Sequence, residues 1–154
     1  AGIGDRDDVL VFTSEPLAHD VTVAGPITAV VYAATTGKDT DFTAKLSVVQ
    51  SDGFIRNIED GIVRARYLFD GADSTGYVTP GKVYRYEIDC GATALALKAG
   101  QRLQVEISSS NFPKYDRNPN TGVDPLSASE FVAATQTVYH SPEYPTHVVV
   151  PILR

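Results

Sequence analysis

The chain has a single cysteine, Cys90, and neither methionine nor tryptophan among its 154 residues. One cysteine excludes an internal disulfide framework, and no Cys/His group has the spacing of a zinc site. Basic residues are in deficit, with 13 Lys+Arg against 19 Asp+Glu and a formal net charge of −6. With no Lys/Arg cluster, that balance argues against nucleic acid or an anionic membrane as partner, because both are bound through cations. No apolar run approaches the ~18–20 residues needed to cross a bilayer as a helix. The N-terminus shows none of the three regions of a signal peptide. Residues 1–8 read as a polar linker or cut edge, and with Met missing even at position 1 the chain reads as processed or cut from a longer polypeptide. One free thiol suits the cytoplasm without excluding secretion.

The dominant period is two. Phe42, Ala44, Leu46 and Val48 alternate with Thr43, Lys45 and Ser47. The same rhythm recurs at Val63, Ala65, Tyr67 and Phe69, at Tyr84, Tyr86 and Ile88, and at Leu103, Val105 and Ile107. Each run predicts a strand with one row on a core and one, such as Gln104 and Glu106, towards solvent. Val9–Phe12, Ile27–Ala33 and Val148–Leu153 are more uniformly apolar. Asp52-Gly53 predicts a hairpin turn, and Glu59-Asp60-Gly61, Pro80-Gly81 and Ala99-Gly100 predict further breaks. Pro16 and Pro26 set the Val21–Ala24 stretch apart as an edge or connecting piece. Only Ser127–Thr135 has a helical reading, with Ser127 as N-cap and Glu130 three residues on. The expectation is an all-β jelly-roll sandwich over residues 9–154, like galactose-binding domains, with one short helix at most.

Chemistry is sparse. There is no G-x-S-x-G elbow, and a triad would have to be assembled from Ser110, His140 and Asp116. Asp116, Asn118 and Asn120 resemble the start of a calcium loop, but the glycine, Gly122, is one place late. The position of the closing acid is Ser127. Asp39 and Asp41 read either as calcium ligands or as partners of arginines, and neither a metal nor a cofactor is assigned. Tyr115, Tyr139 and Tyr144 near loops leave a free-standing carbohydrate-binding module as the alternative function. Asn111–Leu126, with Pro113, Pro119 and Pro125, is too long and irregular for an ordinary connection, and such loops tend to be functional.

That loop carries a resemblance. Ser108-Ser109-Ser110-Asn111-Phe112-Pro113-Lys114-Tyr115-Asp116-Arg117-Asn118, then Pro119-Asn120-Thr121-Gly122, resembles the signature of the C-terminal domain of the X-Pro dipeptidyl-peptidase/cocaine esterase family. Asp39–Leu46, Asp60–Tyr67 and Thr137–His140 resemble it too, in order, along a match from Asp5 to Arg154. The departure is Gly100-Gln101-Arg102, where relatives often have Gly-His-Arg. The resemblance implies a serine hydrolase with its Ser-His-Asp triad on an α/β-hydrolase domain and a helical cap over it. This chain would then be the non-catalytic C-terminal domain, bracing the catalytic domain and covering its cleft, with further strands upstream of Ala1. Substrates would be acyl esters, amides or X-Pro dipeptides. The partner implied is the catalytic domain of the same protein, and a homodimer is a second partner reading. Phe112, Tyr115 and Arg117 form an apolar-plus-guanidinium set suited to an interdomain contact. The alternative makes Phe112 a plug in the sandwich end, with Asp116 and Arg117 paired locally. Asp39, Asp41, Arg64, Arg66 and Arg102 read as structural charge pairs between strands.

Overall fold

A computed structural model of the chain describes residues 6–68 and 76–153. Among them run nine strands: β1 (Val9–Thr13), β2 (Val21–Thr35), β3 (Asp41–Val49), β4 (Ile55–Arg64), β5 (Tyr84–Leu97), β6 (Arg102–Ser108), β7 (Gln136–Tyr139), β8 (His147–Val149) and β9 (Ile152–Leu153). One sheet has the order β1-β6-β3-β4. In the other, β2 pairs with β5 along one edge and with β7, β8 and β9 along the other. All pairings are antiparallel.

Alternation builds the core. Ile27, Ala29 and Val31 of β2, with Tyr86 and Ile88 of β5, face Phe42, Ala44 and Leu46 of β3. Phe42 and Tyr86 pack with ring centroids 4.6 Å apart. Burying side chains of this size stabilises the fold by about 1.5–3 kcal/mol each, so the two inner faces hold the sheets together. Turn chemistry is as expected at Asp52-Gly53, where Gly53 has φ +85° and its N–H donates to Gln50 O at 2.9 Å.

The two flanks of the sandwich differ. On one side β4 lies against β5 so closely that a Cβ on Gly61 would stand 2.1 Å from the Asp89 carbonyl oxygen. On the other side β1 pairs with β6 alone. Between β1 and the β7/β8 edge lie two hollows of about 330 and 260 Å³.

Local expectations fail where distant groups claim the backbone. The alternating run at Val63 ends as a strand at Arg64 and turns through a 3₁₀ segment, Ala65–Leu68. There the Ala65 N–H donates to Thr40 O and the Arg66 N–H to Asp39 Oδ1, so neither is free for a strand partner. Phe69 lies outside the described residues. Ser127–Thr135 is not helical. Its Ser127 N–H donates to Asp124 O and its Val132 N–H to Pro119 O, contacts that replace a helical ladder. Glu59-Asp60-Gly61 makes no break but runs inside β4. Val21–Ala24 is the beginning of the 15-residue β2, not a separate piece. Pro26 is tolerated there because the register with β5 shifts between Pro26 and Thr28, a bulge that spares the missing N–H. Gln104 and Glu106 are buried on the outer face of β6 instead of facing solvent, where Gln104 Nε2 donates to Glu106 Oε1 and Lys45 pairs with Glu106.

Candidate functional site

Asp39 and Asp41 stand at the entry to β3, and both are fully buried. Asp41 accepts a two-point contact from Arg64 Nε and Nη2 at 2.8 and 3.0 Å. Asp39 accepts from Arg66 Nε at 2.7 Å and from the Arg66 backbone N–H at 3.0 Å. Asn118 lies between the acids, 8% exposed, and its Nδ2 donates to both at 3.0 and 2.8 Å. Buried carboxylates are tolerated only when paired and hydrogen-bonded on this scale. The bond to Asp41 raises the Arg64 pKa above its ordinary value, which keeps the guanidinium charged.

The same groups hold the loop after β6 against the sheet. Arg64 Nη2 donates to Asp116 Oδ1 at 3.2 Å, and Arg66 Nη2 to Val123 O at 3.1 Å. Asn120 Nδ2 donates to Val132 O at 2.8 Å, and Lys114 pairs with Asp60. Gly122 has φ +86°, and a Cβ there would lie 2.5 Å from the Tyr77 ring, whose hydroxyl donates to Gly122 O. Only glycine meets both conditions.

Held in this way, the loop displays apolar side chains outward. Phe112 is 65% exposed, Phe131 52% and Leu126 94%. Arg117 sits between the first two, its Cζ 5.6 Å from the Phe112 ring centroid and 5.0 Å from that of Phe131. A groove of about 500 Å³ runs from Phe112 and Arg117 over Thr43, Lys45 and Glu106 on the outer face of the β1-β6-β3-β4 sheet. Clustered exposed apolar groups with an arginine among them mark an interaction surface more than a solvated one. The plug reading of Phe112 does not hold, since the ring is outside and Asp116 pairs with Arg64, not Arg117.

A family model for the X-Pro dipeptidyl-peptidase C-terminal non-catalytic domain matches residues 2–149. The chain belongs to this family. It is 42% identical to cocaine esterase from Rhodococcus sp. (strain MB1 Bresler) over 154 residues, 99% of this chain and 27% of that protein. Among solved structures it resembles an aminopeptidase from a marine sediment Thaumarchaeota archaeon, with TM-score 0.90 and 35% identity over 97% of this chain and 26% of the other. It also resembles an α-amino acid ester hydrolase, with TM-score 0.90 and 30% identity over 98% and 26%. The chain thus spans about a quarter of the length of these relatives.

For a member of a non-catalytic family, the fate of the paper triad is consistent. Ser110 lines the groove beside Phe112, whereas His140 packs edge-on against Phe12, centroids 6.1 Å apart, at the open flank. Asp116 is taken by Arg64. The carbohydrate-binding alternative finds no support, since the family match covers nearly the whole chain. The tyrosines also fail as platforms. Tyr139 and Tyr144 pack at 59°, Tyr144 and Tyr32 at 46°, and Tyr115 is half-buried with the Lys114 ammonium over its ring at 5.4 Å. Within Asp116–Gly122, Asn118 Oδ1 accepts from the Asn120 N–H at 2.9 Å, a side-chain turn common for Asn. Arg102 departs from the expected charge pair and donates to Ser14 O at 3.0 Å. Sequence reasoning missed Asn118 as the group joining both acids, and Leu126 and Phe131 as part of the outward face. The signal at hand was Phe131-Val132, an apolar pair with no alternating strand around it.

Proposed function

We propose that this chain is the C-terminal domain of a larger serine hydrolase and docks on its α/β-hydrolase domain through the loop face bearing Phe112, Arg117 and Phe131, with the half-buried Tyr115 of the same loop at its side. The observation that carries the reading is that face: apolar, outward, and tied to the sheet beneath by the buried Asp41–Arg64 and Asp39–Arg66 pairs, which also join β3 to the end of β4. Docking there braces the catalytic domain and closes one side of its cleft. The relatives named as an esterase, an ester hydrolase and an aminopeptidase all cleave an acyl group from oxygen or nitrogen. The corresponding reaction here is acyl transfer from an ester or amide to a serine outside this chain and then to water. The open flank fits the same arrangement. Strands from the polypeptide N-terminal to Ala1 pair along β1, where Leu10 and Phe12 are exposed, and cover the hollows behind it.

The test is fluorophosphonate labelling of the complete polypeptide with peptide mapping of the adduct. A single labelled serine N-terminal to this domain is expected. Labelling of a serine within Ala1–Arg154, or no labelling at all, would overturn the proposal.

A further inference from the structure

Arg117 is the cation of the loop that has no counter-ion among the described residues. Among the described residues it forms no ion pair, while each acid around the same groove is committed elsewhere: Asp116 to Arg64, Glu106 to Lys45, and Asp8 to Arg6. The phenyl rings of Phe112 and Phe131 hold it in position through cation–π contact, but rings offer no acceptor to its N–H donors. The position itself is fixed from below, since Asn118, the next residue, is bonded to both buried acids. Arg117 also lines two hollows at once, the groove of about 500 Å³ and a smaller one of about 260 Å³ beside Asn120 and Val132.

Resting on the docking proposed above, we infer that Arg117 receives an aspartate or glutamate side chain of the hydrolase domain in the same polypeptide. Docking on Phe112 and Phe131 strips water from the guanidinium between them. Left without an anion, a charge so buried would oppose docking by more than the rings return. A carboxylate is the polypeptide group that matches the planar fork of N–H donors. Rings that already restrict the arginine reduce the ordering cost of making that contact. The arrangement gives the interface its orientation: two phenyl rings make it adhesive, and one charge pair sets the register.

The experiment uses the complete polypeptide. Carbodiimide treatment of the Arg117→Lys variant joins the substituted amine to a carboxylate in contact with it, and the product is mapped by mass spectrometry. The expected cross-link runs from position 117 to an Asp or Glu N-terminal to Ala1. A cross-link to an acid of this domain or to a second copy, or none, overturns the inference. In parallel, Arg117→Glu is expected to speed proteolytic separation of the two domains at least about tenfold. Cys90, which is buried, should stay protected from thiol reagents and so report an intact sandwich. If Phe112→Ala separates the domains but Arg117→Glu does not, the carboxylate contact is refuted and the docking face stands. If neither does, the docking face falls, and this inference with it.

Discussion

Tyr86 shows how burial alone sets a residue's behaviour. Its ring is fully enclosed against Phe42, and among the described residues its hydroxyl has no hydrogen-bond partner. Burial pushes its pKa above the ordinary tyrosine value, with Tyr84 and Asp39 adding to the shift. A group whose pKa is raised on folding stabilises the native state below its unfolded value and loses that contribution as pH rises. Tyr86→Phe is therefore expected to raise stability by about 1 kcal/mol at neutral pH, by removing an unsatisfied hydroxyl. The same variant should flatten the loss of stability seen above pH ~10. Urea melts of both proteins at neutral and alkaline pH decide this, and a less stable Phe variant at neutral pH would show that the hydroxyl has a partner. At this scale much was readable beforehand. The alternating pattern marked Tyr86 and Phe42 as core. It could not show that Asn118 bridges two acids some 77 and 79 positions earlier in the chain, because a hydrogen bond between distant residues leaves no local period.

At the scale of elements, periodicity located β3, β5 and β6 and failed where strands bend or end. β4 is the clearest case. Glu59-Asp60-Gly61 has turn composition, yet the segment continues because Gly61 lets β4 approach the Asp89 carbonyl of β5. Gly61→Ala is expected to cost about 3 kcal/mol or more, since the new methyl meets rigid backbone and not a movable side chain. Denaturant titration checks it, and a loss below 1 kcal/mol would mean that the two strands part without penalty. The missing helix at Ser127–Thr135 has the opposite cause: a capping signal was present, but Pro119 O and Asn120 Nδ2 claim Val132 at both its N–H and its carbonyl. Nothing in a nine-residue window reports that competition.

For the molecule as a whole, the asymmetry of the flanks has a measurable consequence. The β4/β5 side is closed, while β1 is an edge with Leu10 and Phe12 exposed beside apolar hollows. Such an edge is a template for another strand. Extending the chain N-terminally to include the proposed upstream strands is expected to raise its melting temperature by several degrees and to abolish binding of a hydrophobic dye. An extension that leaves both unchanged would place those strands elsewhere. The class of fold, the irregular loop and the family were legible in order of residues, since strand alternation and a long contiguous motif are both local properties. Which face of the loop points outward was not. Phe112 had two equal readings, plug or contact. The plug was removed by Asp39, Asp41, Arg64 and Arg66, which fix the loop from beneath and leave the ring outside. Burial and ion pairing between distant segments are settled by how the sheets pack, and that exists only once the chain has folded.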